Sequence, residues 1–181
     1  MNPNIRKLMM TLIAVMMIAG AWAQASAPSM PEAIINLNKF NGSWEAKWTS
    51  TMGDKSYQFD YNVKCMPIAG GNGAYWEENG LHPALGEMHS SDLFGFDRSD
   101  RKLHCYSVDN SGITRDQICE WVSPDHLVME YNGSEDGKHI IDKTDLNFRS
   151  DDMLDVTASS IIDGKVQWSG SGTFHRIEEG K

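Results

Sequence analysis

The sequence predicts an all-β fold: an up-and-down antiparallel barrel of about ten strands behind one short helix. Three observations carry this. From Phe40 onward apolar and polar residues alternate with period two. Turn signals such as "DRSD", "DNSG", "SEDG" and "IDGK" recur roughly every ten residues. No window beyond Leu37 sustains helical periodicity. Short turns make successive strands antiparallel neighbours; ten such strands close into a barrel or fold into a sandwich, and hairpin after hairpin favours the up-and-down barrel.

The elements follow in chain order. Residues 1–23 read as a cleaved signal peptide: "MNPNIRK" carries Arg6 and Lys7 and no acid, Leu8 to Ala19 is an apolar run, and Ala21 and Ala23 flank Trp22 as small residues at a cut. The run is shorter than the ~20 apolar residues that a membrane span needs. Ala25-Ser26-Ala27 offers a second cut, after Ala27. Residues 24–39 form a lead-in with one short helix, in which Ser29 and Glu32 have capping-box spacing, Pro31 sits in the first turn, and Ala33, Ile34 and Leu37 make an apolar stripe.

Residues 40–178 form the barrel domain. The expected strands are 43–51, 56–65, 74–80, 90–97, 101–108, 113–122, 126–132, 138–148, 153–162 and 165–177. "SYQFDYNVKC" is the clearest, with Tyr57, Phe59, Tyr61, Val63 and Cys65 on one face and Gln58, Asp60, Asn62 and Lys64 on the other. Asp163-Gly164 between apolar flanks is a type I′ hairpin signature.

The 181 residues carry a formal net charge of −9, and losing Arg6 and Lys7 with the signal makes the remainder more acidic. Such a surface repels nucleic acid and anionic lipid, so neither is an expected partner, and no stable membrane insertion is expected after cleavage. Export places the protein in the periplasm or outside the cell. Three cysteines in an exported chain allow one disulfide and one spare thiol. Cys105–Cys119 is the favoured pair, since both lie on runs flanking "DNSG". The alternative is three buried, reduced thiols.

"FNGSWEAKW" places Trp44 in a Gly-x-Trp pattern behind an Asn-Gly turn. In "KVQWSGSGTFHRI" the alternation puts Val166, Trp168, Gly170, Gly172, Phe174 and Arg176 on one face. Together these resemble the two chain ends of the calycin, or lipocalin-like, barrels. The resemblance implies that Trp44 lies at the closed end of the barrel with Arg176 across its ring, a structural clasp. "GSWE", Gly95-Phe96-Asp97, Asn110-Ser111-Gly112 and the last strand further resemble a family of uncharacterised bacterial calycin-like domains. That family has no settled activity, and "HPALGEMHSSD" departs from its commoner pattern.

A barrel of this size either fills its lumen or holds one small ligand there. The lumen candidates are Trp48, Tyr57, Phe59, Tyr61, Trp76, His104, Tyr106 and Trp168. His104 is placed with Tyr106 and Val108 on the inner face, while His126, His139 and His175 look outward. His82 and His89 flank "HPALGEMH" at the expected mouth. A metal set of His82, Glu87 and His89 fits tetrahedral ligation only loosely, and no metal site is expected. There is no G-x-S-x-G motif. No cofactor is expected: haem needs an inward histidine, and His104 is the one candidate. Three functions stay open: a barrel binding a small, partly apolar molecule in an aromatic-lined lumen; an isomerase- or cyclase-type enzyme using His104 with Tyr106 or Asp92; and a filled barrel serving as an interaction module.

Overall fold

The computed structural model describes residues 30–178. The signal, both cleavage patterns and the Ser29 cap lie outside these residues. Helix α1 (Met30–Leu37) runs into a 3₁₀ turn (Asn38–Phe40). Ten strands follow: β1 (Gly42–Met52), β2 (Lys55–Ile68), β3 (Gly73–His82), β4 (Gly86–Asp97), β5 (Lys102–Asp109), β6 (Thr114–Ser123), β7 (His126–Glu135), β8 (Lys138–Ser150), β9 (Met153–Ile162) and β10 (Lys165–Ile177). All pair antiparallel, each with its chain neighbour, and β10 closes onto β1.

Ten strands and their order match expectation; some boundaries move. β4 begins at Gly86, so most of "HPALGEMHSSD" is strand and the loop shrinks to residues 83–85. At Asp163-Gly164 both residues have positive φ, as the type I′ turn requires. A bulge between Val166 and Trp168 turns Val166 outward, where it is 64% exposed, while Trp168 stays on the inner face.

The two ends of the barrel differ. Ala33, Ile34 and Leu37 of α1 are buried, as the stripe predicts, and the 3₁₀ turn drops Phe40 into one end. The Phe40 ring meets Trp76 at 4.6 Å, Phe148 at 4.7 Å and Trp121 at 5.9 Å between centroids. Trp44 packs beside them and donates from Nε1 to the Phe40 carbonyl at 2.7 Å. This aromatic plug closes the end. Lys39 ties it to the β6–β7 turn through the Pro124 carbonyl at 2.7 Å and the Asp125 carboxylate at 2.6 Å. The other end carries the turns at residues 53–54, 83–85, 110–113, 136–137 and 163–164, and no helix of the described chain covers it.

Candidate functional site

The middle of the lumen is built from rings laid on glycines. Trp48 of β1 faces β10, where a Cβ on Gly170 would stand 2.4 Å from its Cζ2 and one on Gly172 3.0 Å from its Cε3. The "SGSG" run is therefore the floor on which Trp48 lies. Tyr61 covers Gly80 of β3 in the same way, at 2.5 Å from a built Cβ. Trp48, Tyr61 and Phe174 meet at centroid distances of 5.8 to 6.2 Å, and Phe59 stands edge-on to Tyr61 at 6.0 Å.

Beyond these rings the inner wall becomes polar. The Tyr61 hydroxyl donates to Glu78 Oε2 at 2.6 Å. Glu78 of β3 and Asp92 of β4 are diagonal neighbours on the inner face, close enough to hydrogen-bond through one proton. The Ser107 hydroxyl bonds Asp92, and Gln117 Nε2 donates to Ser107 at 2.7 Å. One polar network thus crosses five strands. Asp92 is 4% exposed. Burial, then the Glu78 charge, pushes its carboxyl up to about 8, so near neutral pH the pair holds one shared proton. Burial and the same carboxyls also drive the Tyr61 hydroxyl and the Cys65 thiol well up. Among the described residues no lysine, arginine or histidine forms an ion pair with Glu78 or Asp92. The inward arginines are engaged elsewhere: Arg115 pairs with Asp142 at 2.9 Å and Glu135 at 3.0 Å over the Tyr131 ring, and Arg176 lies at the plugged end.

His82 ends the same inner row of β3, 2% exposed against Tyr57 and Phe59 at ring distances of 4.9 and 5.0 Å. Its Nδ1 accepts from the backbone N–H groups of Ala84 and Leu85, both at 3.1 Å. That fixes the proton on Nε2, which is buried without a hydrogen-bond partner.

Six lumen candidates face inward as expected: Trp48, Tyr57, Phe59, Tyr61, Trp76 and Trp168. Trp76 belongs to the plug, 4.2 Å from Phe94, rather than to the mouth. Trp168 donates to Ser50 at 2.8 Å. His104 and Tyr106 are a correction. β5 presents Leu103 and Cys105 to the core, so His104 and the half-exposed Tyr106 sit on the outer wall. His104 is held there between Asp116 at 2.9 Å and Asp100 at 3.0 Å and cannot meet Asp92 through the sheet.

The cysteine pair is a second correction: Cys65, Cys105 and Cys119 are all free and buried. Cys119 pairs with Leu103 and Cys105 with Gln117, so the thiols are diagonal neighbours. The Cys105 and Cys119 thiols meet across that diagonal as a hydrogen-bonded, unbridged pair. The weighed metal set does not assemble either, because Glu87 and His89 lie outside while His82 lies inside. Asp97, Asp100 and His104 do come together, at the surface of the β4–β5 turn. A concavity of about 320 Å³ lies on the outer wall over β1, β10, β9 and β8, floored by hydroxyls such as Thr49, Ser159 and Ser171.

Sequence reasoning missed Glu78 altogether and placed Asp92 with the wrong partner. The available signal was parity: steps of two from Trp76 reach Glu78, Gly80 and His82, and steps back from Phe94 reach Asp92.

No protein-family model matches the sequence, and no curated protein matches it. Solved structures do share the architecture. The S-type phycobiliprotein lyase of Guillardia theta is 10% identical with a TM-score of 0.58, over 80% of this chain and 92% of the lyase. A Nostoc punctiforme protein of unknown function from the DUF3598 family is 9% identical with a TM-score of 0.53, over 78% of this chain and 49% of its own. At such identities the likeness is one of fold, and the chain folds as a lipocalin-like barrel.

Proposed function

We propose that this is an exported binding protein that holds a small, partly apolar molecule in its aromatic-lined lumen. One observation carries the reading. Tyr57, Tyr61, Glu78, Ser90, Thr144 and Trp168 face inward yet keep some solvent exposure, and no helix of the described chain covers the end of the barrel opposite the aromatic plug. Partly exposed inward groups below an end without a helix support a lumen that opens to water at the mouth. Aromatic rings beside a few convergent polar groups are the usual lining of a small-molecule site. Export rests on the basic, apolar and small-residue sequence of residues 1–23.

Native mass spectrometry of the protein secreted from its own signal tests both parts. The expected result is a chain beginning after Ala23 or Ala27, carrying extra mass that leaves on denaturation. A chain that keeps residues 1–23 overturns export. A bare mass, together with failure to bind the neutral fluorophore N-phenyl-1-naphthylamine, overturns the binding reading in favour of a filled barrel.

A further inference from the structure

One inward row of β3 holds an acid pair that no cation answers, at Glu78 one step from Trp76 of the plug, and an unmet hydrogen-bond donor, at His82 by the mouth. Glu78 and Asp92 share one proton where each would otherwise carry a charge, and no cation of the described chain answers them. His82 Nε2 is a donor in a buried position with no acceptor. A buried, unsatisfied donor is costly unless something completes it, and a buried acid pair keeps a proton where no cation stands beside it. Gly80 lies between the two positions and contributes no side chain; the Tyr61 and Phe59 rings stand over it. The row therefore reads as acid pair, aromatic surface, donor.

We infer that the lumen ligand is a small organic ammonium ion on an aromatic or aliphatic frame, with its ammonium on the Glu78–Asp92 pair and an acceptor group of the ligand on His82 Nε2. This rests on the lumen-binding reading and names its substrate class. Binding is an exchange of cations. The shared proton leaves for solvent as the ammonium arrives, so one carboxyl–carboxylate pair and one ammonium become two carboxylates, one bound ammonium and one released proton. An ammonium suits the place because it donates up to three hydrogen bonds to carboxylate oxygens while the rings take its apolar frame.

The titratable groups facing the pair are Tyr61 and Cys65 from β2, Cys105 from β5, Cys119 and Arg115 from β6, with Ser107 and Gln117 as neutral partners. Burial raises the Tyr61 phenol and the Cys65 and Cys105 thiols, so these keep their protons near neutral pH, and Arg115 is committed to Asp142 and Glu135. The exchangeable proton therefore belongs to Glu78 and Asp92.

The test compares tryptamine with tryptophol, which puts a hydroxyl where tryptamine has its ammonium, by calorimetry on the mature protein; N-phenyl-1-naphthylamine reports the lumen itself. Tryptamine is expected to bind about tenfold or more tighter than tryptophol. At neutral pH its observed heat should vary with the ionisation enthalpy of the buffer, reporting about one proton released, and that release should vanish above roughly pH 9. In the Glu78→Gln/Asp92→Asn double variant the preference should disappear while the fluorophore still binds. Fluorophore binding with equal affinity for the two indoles overturns the ammonium assignment and leaves the lumen reading standing. So does a tryptamine preference that survives in the double variant. If neither the fluorophore nor the indoles bind, the lumen reading falls and the assignment falls with it.

Discussion

Arg176 lies across the Trp44 ring, its guanidinium carbon 4.1 Å from the centroid, and the two residues are direct partners in the β1–β10 ladder. The stack joins the two ends of the barrel domain where the closing strands meet. The guanidinium also donates to the carbonyls of Asn41, Lys39 and Asp151, so one fork binds the 3₁₀ turn, the residue that leads into β1 and the β8–β9 turn. Gly42 makes room: its φ is +118°, and a Cβ there would stand 2.9 Å from Nη1 of Arg176. The glycine and the tryptophan of "GSW" thus serve the same arginine.

Arg176→Lys keeps the charge and loses both the planar stack and the fork. With a cation–π contact of ~0.5–2 kcal/mol and carbonyls left without donors, the expected loss is about 2–3 kcal/mol. Urea unfolding should show a lower midpoint with an unchanged slope. A lysine variant as stable as the parent would show that the clasp is not a structural element.

Gly170→Ala tests the floor beneath Trp48. Its methyl would overlap the indole, and overpacking of this kind costs about 1–3 kcal/mol. The cost should nearly vanish in a Trp48→Ala background, because the methyl then enters space the indole has left. A double-mutant cycle by thermal unfolding measures that coupling, and additive effects would remove the assigned reason for the glycine.

Strand count, order and most face assignments were legible because aromatics alternate cleanly in runs such as "SYQFDYNVKC". They failed in "KLHCYSVD", where apolar residues fall on both faces. Aromatic weight favoured Tyr106 and Val108, but volume decided. Cys105 faces Phe94 across the ladder, beside the crowded plug, and a small thiol fits where a tyrosine does not. The acid pair was illegible for another reason. Glu78 and Asp92 become neighbours only through the β3–β4 register, which the misread loop at residues 82–92 concealed.

The same register governs the cysteines. With Cys105 and Cys119 on a diagonal, and all three thiols buried, Ellman's reagent should find no reactive thiol in the native protein. Denaturation without reductant should expose all three. Burial pushes the Cys65 and Cys105 thiols far up, so alkaline conditions short of unfolding should not activate them. A single thiol in denaturant would show a disulfide and overturn the three free thiols.

Asp92 supplies a pH dependence of unusual sign. Burial first, and the Glu78 charge second, raise its carboxyl from an ordinary 3.8 to about 8 in the folded barrel. Between those values the folded protein binds a proton that the unfolded chain has released. Stability therefore falls as pH rises across roughly 4 to 8, by at most ~1.4 kcal/mol per pH unit for one proton, and levels off above. Asp145 works the other way. Burial opposes its ionisation, but Lys143 and His126 hold it below the usual carboxylate range, so its contribution is lost only as pH falls toward acid. Asp92→Asn replaces the protonated carboxyl with a neutral amide that can still reach Ser107 and Glu78. Chemical unfolding at pH 5, 6.5 and 8 should show a decline in the parent that is largely absent in the variant, leaving the variant the more stable of the two at pH 8. A parent whose stability is flat over this range would mean that Glu78 and Asp92 do not share a buried proton, and it would remove the electrostatic basis for an ammonium in the lumen.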